Sequence, residues 1–232
     1  MDILLQETTL LDYSDKTIAS LISKRAWRNE GNFERLNRIY LFVRDEILFG
    51  YNKDDNITAS AVLRDGYGQC NTKSTLFMAL LRAVGIPCRI HGFMIDKELQ
   101  KGAMTGIVYR NAPDRILHSW VEVCLDGTWY NLEGIILDKS YLDGLHRKFP
   151  DRNGRFSGYG VAVNDFDHPE IDFNRNNTYI QKEGITEDLG IFNSPDELFA
   201  QYHQDLTPVR SLLYQNLGRH LMNRNIRKIR NT

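Results

Sequence analysis

The 232-residue chain is short of several things, and each shortage removes a class of protein. It has only three cysteines, Cys70, Cys88 and Cys124, too few and too unevenly spaced for a disulfide framework, which fits a reducing compartment. No stretch approaches 18 consecutive apolar residues, so no membrane-spanning helix is expected. The opening MDILLQETTLLDY lacks a basic segment followed by an apolar core, so a secretory signal is not expected and a cytoplasmic location is. Neither sign of charge dominates: 29 Lys and Arg against 30 Asp and Glu leave a net charge of −1, and nothing global favours a nucleic-acid or membrane partner. No internal repeat and no Pro/Ser/Gly linker appears, so there is no obvious domain boundary. No glycine motif for nucleotides is present, and NDFDHPEID (164–172) lacks the ligand spacing of a dedicated cation loop, so neither cofactor nor metal is expected.

What remains is ordinary globular composition, 42% apolar and 25% charged, in a chain long enough to bury a sizeable core. SDKTIASLISKRAWR (14–28) reads as a helix with Ser14 as N-cap, and 32–48 as a second helix with Asn32 as cap. NTKSTLFMALLRAV (71–84) is the clearest helix, ended by Gly85 and Pro87. The period then changes to two, and 88–96, 116–125 and 128–135 read as strands. Asp126-Gly127 is a two-residue hairpin signal between the last two. Residues 139–180, rich in Asp, Asn and Gly, read as turns and short pieces. Helices are expected at 196–206, capped by Ser194, and at about 208–229. The six basic residues between Arg210 and Thr232 suit the C-terminal end of that last helix. The order predicts an α+β fold with helices packed on one side of an antiparallel sheet. The chain is expected to be one domain: an N-terminal helical segment (1–32), a core (33–138) and a C-terminal extension wrapping it (139–232).

Two places carry chemistry. In RDGYGQCNTKS (64–74), Cys70 stands between a glycine-rich bend and the start of the strongest helix. Free N–H groups and the positive end of the helix dipole favour a thiolate there, and the N–H of Cys70 would point at an oxyanion formed on an attacked carbonyl. Cys88 and Cys124 lie within strands and read as core. The second place is the hairpin. If Asp126-Gly127 is its turn, Leu125 faces Thr128, and the same register sets Trp120 opposite Glu133 and His118 opposite Ile135. His118, Trp120, Glu122 and Cys124 then share a face with Trp129, Asn131, Glu133 and Ile135, which makes Glu133 the diagonal neighbour of His118. A thiol nucleophile needs an imidazole base, and the imidazole needs an acceptor to orient it.

GYGQCNTKSTLFMALLRAVGIPCR followed by HSWVEVCLDGTWYNLEG resembles the transglutaminase-like superfamily, over about residues 33–138. The resemblance implies a papain-like cysteine-enzyme core in which Cys70 is the nucleophile and His118 the base. It also implies an acid in the strand after the turn, usually Asp; here Glu133 holds that place, with Asn131 as a substitute orienter and Asp138 a weaker one. A second oxyanion donor upstream of the nucleophile is implied as well, for which Tyr67 and Gln69 are candidates, while Trp120 and Trp129 wall the cleft. The expected activity is thiol-dependent acyl transfer or hydrolysis of an amide in a peptide or other substrate, hydrolysis ahead of cross-linking. The alternative is a binding module that keeps the cleft without turnover.

Overall fold

The computed structural model describes residues 2–204 and 207–232, the side chains of 208 and 209 excepted. In chain order its elements are α1 (Lys16–Arg25), α2 (Asn32–Leu41), β1 (Leu48–Phe49), α3 (Ala59–Asp65), β2 (Tyr67–Gly68), α4 (Cys70–Ala83), β3 (Cys88–Asp96), α5 (Gly106–Asn111), β4 (Arg115–Leu125), β5 (Thr128–Leu132), α6 (Lys139–Lys148), β6 (Phe156–Gly158), β7 (Val161–Val163), β8 (Ile185–Phe192), α7 (Pro195–Gln201), α8 (Pro208–Leu213) and α9 (Arg219–Arg230). The main sheet is antiparallel in the order β5-β4-β3-β8, and α4 packs across β4 and β3. The α+β arrangement is the expected one.

α4 is the axis of the molecule. Every residue from Cys70 to Arg82 is buried, so the helix is enclosed all round and not only along one apolar stripe. A helix enclosed this way must satisfy its polar side chains internally. Thr72 donates to Asn52 Oδ1 (2.7 Å) and Thr75 to the carbonyl of Asn71 (3.0 Å). Lys73 Nζ donates to the carbonyls of Arg44 and Ile136 at 3.0 and 3.1 Å, and its burial pulls its pKa down to about 7. The core around this axis runs from Leu11 to Ile229 and takes in residues of all three predicted segments.

Several expectations need correction. Asp15, not Ser14, caps α1, and α2 follows Gly31 without a side-chain cap. The second helix is regular only to Leu41 and continues as a π turn over Phe42–Glu46. The stretch expected as turns holds α6, capped by Asp138, and β6 and β7. β8 completes the sheet on its open side. α7 begins at Pro195 behind its Ser194 cap but ends at Gln201; residues 205 and 206 of the expected helix lie outside the described residues. The last helix is interrupted by a π turn over Tyr214–Gly218. Among the described residues no helix is long and apolar enough to cross a membrane.

Candidate active site

The approach to Cys70 is set by two glycines with different roles. Gly66 ends α3 in the left-handed region at φ 70°, where a side chain would be strained. Gly68 is needed for space: a Cβ there would stand 2.7 Å from Thr72 Oγ1 and 3.0 Å from Lys73 Cγ. Gln69 is extended, its N–H donates to Thr72 Oγ1 at 3.1 Å, and the helix begins at the next residue. Cys70 therefore occupies the first turn, where backbone N–H groups have no intrahelical acceptor.

The hairpin turn is formed by Asp126 and Gly127 at φ 52° and 85°. Its register is the one the turn dictates, from Leu125↔Thr128 through Glu122↔Asn131 to Val121↔Leu132. The ladder then stops, one pair short of the expected Trp120–Glu133 pairing. Glu133 leaves the strand, its N–H donating to the carbonyl of Thr178 at 3.0 Å. Its side chain still reaches the predicted partner: His118 Nε2 lies 2.7 Å from Glu133 Oε1, both residues fully buried. The other oxygen, Oε2, accepts the N–H groups of Ile180 (2.7 Å) and Gln181 (2.9 Å). A carboxylate only accepts, so it fixes the proton of His118 on Nε2 and leaves Nδ1 as the free nitrogen. Nδ1 has no hydrogen-bond partner of ordinary geometry. Burial works against a charged imidazole, but the adjoining negative charges of Cys70 and Glu133 outweigh it and raise the pKa of His118 to about 10. Cys70 thus acts on the ring electrostatically, with no hydrogen bond of ordinary geometry from its sulfur to Nδ1.

Asn71 holds the two halves in register. Its Nδ2 donates to the carbonyl of Leu117 (3.1 Å), and its Oδ1 accepts from Ser119 Oγ (2.9 Å). The residue after Cys70 thereby grips the residues on either side of His118. Replacing Asn71 by Ala should leave both partners buried and unpaired, at a cost of about 1–3 kcal/mol in urea unfolding. Misalignment should lower kcat more than it raises KM, and a variant with unchanged kcat would remove Asn71 from the site.

The remaining sequence candidates fall elsewhere. Asn131 faces Glu122 and donates to Tyr179 Oη (2.9 Å), so it does not orient His118. Asp138 caps α6 and pairs with Arg230. Gln69 donates its Nε2 to Asp55 (2.9 Å) and its Oε1 accepts the N–H of Asn52 (2.9 Å), while Tyr67 lies against Gly50 and its phenol oxygen accepts from Arg219 Nη1 (3.4 Å). Trp120 is buried two residues from His118 on the same face, packed on Phe93 at 4.1 Å, with an unpartnered indole N–H. Trp129 pairs with Cys124, six residues along β4 from His118 or roughly 20 Å away, under the Arg89 guanidinium. It is no part of a cleft at His118. Cys88 is core, as expected, and burial raises its thiol pKa to about 11; Cys124 is half-buried.

Sequence reasoning missed Ile180 and Gln181. They arrive on a segment that continues the edge of β5, with Thr178 bridging to Leu132. Their contribution is backbone N–H, which no residue type announces. Tyr51 was missed too: it is buried, donates to Gln100 Oε1 at 2.6 Å, and its phenol is pushed well above its usual pKa by burial, with the Cys70 charge among the contributors.

With this geometry in place, the comparison with known families is direct: residues 22–134 match the transglutaminase-like superfamily. This segment is a transglutaminase-like domain. The match takes in α2, the cysteine helix and the hairpin as far as Glu133. No curated protein matches the chain. Among solved structures, a proposed cysteine protease from Cytophaga hutchinsonii is similar at 12% identity over 84% of this chain and 47% of its own, with a TM-score of 0.48. A proposed protease from Parabacteroides distasonis is similar at 19% identity, over 56% of this chain and 25% of its own, with a TM-score of 0.35. Red sea bream transglutaminase is similar at 18% identity, over 57% of this chain and 26% of its own, with a TM-score of 0.31. The chain therefore spans about half of the first and about a quarter of the other two.

Proposed function

We propose that the protein is a thiol-dependent amide hydrolase or acyltransferase acting on a peptide through Cys70, His118 and Glu133, in a reducing compartment such as the cytoplasm. We also propose that it works as a single unit in which the 139–232 extension supplies part of the site. The observation that carries the reading is the buried His118–Glu133 pair, which leaves only Nδ1 to serve the cysteine. The Cys70 thiolate adds to the amide carbon, and the carbonyl electron pair moves to oxygen beside the N–H at the helix start. As the tetrahedral adduct collapses, the C–N bond breaks and Nδ1–H of the imidazolium protonates the leaving amine. Water then gives its proton to Nδ1 and attacks the thioester, which releases a carboxylic acid and returns the thiol; an amine in place of water would give a new amide. Hydrolysis is the preferred outcome because water is always present.

The test is a small acyl electrophile read by intact mass at pH 7. One acyl group should load on Cys70, and His118→Ala should slow loading about tenfold or more. Turnover needs the imidazolium, so activity should hold through neutral pH and fall as the pH rises through about 10, where His118 loses its proton. Loading that is equal at all three cysteines and indifferent to His118 would favour the binding module without turnover.

A further inference from the structure

Five large apolar side chains on α5 and the C-terminal helical segment are exposed, and two of them, Ile107 and Leu221, line one groove. Ile107, Leu212, Leu213, Leu217 and Leu221 are between 43% and 63% exposed. Leu213, Leu217 and Leu221 recur every fourth residue along the C-terminal helix, and α5 crosses that helix at Gly218, where a Cβ would lie 3.9 Å from Val108. Between the two helices runs a groove of about 370 Å³, its apolar floor made by Val108, Leu221 and Met222 and its end by Arg224 and Lys228. A contiguous apolar patch rimmed by charge marks an interaction site more often than bare surface.

The two segments that form it carry charge of one sign. Residues 101–112 and 207–232 together hold eight Lys and Arg and no Asp or Glu, in a chain of net charge −1, which leaves −9 for the remainder. Arg110, Arg224, Arg227 and Lys228 form no ion pair among the described residues. The same helix also reaches inward: Asn223 holds Tyr51 by both backbone groups, at 2.7 and 3.0 Å, while Asn225, which lines the groove, holds the carbonyls of Gly102 and Ala103. Tyr51 in turn lies within the field of Cys70. A groove of this volume suits the side-chain anchors of a polypeptide, whereas a bilayer surface asks for a face that can lie flat on it.

We propose that this groove is a docking site for an acidic, apolar segment of the polypeptide substrate, a reading that rests on the amide-directed function above. Docking here would place the bound chain on the helix whose Asn223 holds Tyr51.

The test uses the full chain carrying Cys70→Ala, so that binding is read without chemistry. A fluorescein-labelled peptide of alternating Glu and Leu should bind by anisotropy and weaken as salt rises. Arg224→Glu combined with Lys228→Glu should weaken it about tenfold or more, and Leu221→Ser should weaken it while leaving the thermal midpoint in place. The proposal is overturned if the Lys-for-Glu peptide binds equally, or if the variants bind as the parent does. It is overturned equally by capture on vesicles of anionic phospholipid with no peptide binding, or by sedimentation showing self-association that Leu221→Ser abolishes. Peptide binding with no acyl loading of Cys70 in the unmutated chain would sink the enzymatic reading and spare the groove; loading without peptide binding would do the reverse.

Discussion

Replacing Glu133 by Gln should lower kcat/KM by about 10³ to 10⁴ while leaving the fold intact. The carboxylate serves two sets of donors: His118 Nε2 on one oxygen, and the N–H groups of Ile180 and Gln181 on the other. A carboxamide has one accepting oxygen and one donating nitrogen, so it cannot serve both. The two backbone N–H groups are fixed, and they take the oxygen. The amide nitrogen then faces Nε2, which must become the acceptor, and the ring proton moves to Nδ1. An imidazole that holds its proton on Nδ1 cannot take one from the thiol or from water. The variant should also lose the negative charge that holds His118 protonated, so the alkaline limb of its residual activity should move below about 10. Glu133→Asp separates this from a merely structural role. A side chain shorter by one methylene cannot span from a residue that has left the ladder to His118 and the 180–181 backbone together, and activity should fall about a hundredfold with the pH profile kept. Loss of less than tenfold in Glu133→Gln would remove Glu133 from the catalytic set.

The same geometry lets a Glu reach His118 where the resemblance implies an Asp. An acid on the strand itself would lie close to the histidine, but here pairing ends at Leu132 and the chain turns away under Thr178. The longer side chain recovers the distance. This much was legible in sequence because it is local. The Asp126-Gly127 turn fixes the register, the register fixes the face, and the face joins His118 to Glu133. α4 was legible for a similar reason, from its apolar run and its Gly-x-Pro exit. Its burial on all sides was not, because Asn71, Thr72 and Lys73 read as polar and take partners 20 or more residues along the chain. β8 was missed since ITEDLGIF is an edge strand with charged residues and a glycine. α6 was missed since its polar surface hides a small buried face. The donors at 180 and 181 could not be found at all: backbone N–H has no residue code, and 47 residues separate Ile180 from Glu133.

Removing the guanidinium of Arg230 should cost about 3–5 kcal/mol. Its partner Asp138 is buried and receives Nε at 3.0 Å and Nη2 at 2.6 Å, together with the N–H groups of Phe49 (2.8 Å) and Tyr141 (2.9 Å) and the hydroxyl of Ser140. Arg230 also donates to the carbonyl of Phe49 at 2.6 Å. One ion pair thus ties the end of α9 to the start of α6 and to the short β1 strand before the cysteine helix. The surroundings allow no slack: a Cβ on Gly144 of α6 would stand 2.1 Å from the carbonyl oxygen of Ile229. Burial favours the neutral acid, but Arg230 and the other donors outweigh it and hold the Asp138 pKa near 2. A depressed carboxylate stabilises the fold above its unfolded value of about 3.9 and loses that contribution as the pH falls through about 2. With Arg230→Met the carboxylate stays buried with its main counter-charge gone. The thermal midpoint at pH 7 should then drop by roughly 6–20 °C. The acid transition should move up in pH, since the native-state pKa of Asp138 would rise. Adding Asp138→Asn should recover part of the loss, because the uncompensated charge is removed with it. The extension and the cysteine core should melt together, because the pair and the shared apolar core couple them. A first transition in which residues 139–232 unfold alone, or a midpoint within a degree or two of the parent, would show that this pair holds nothing the catalytic half depends on.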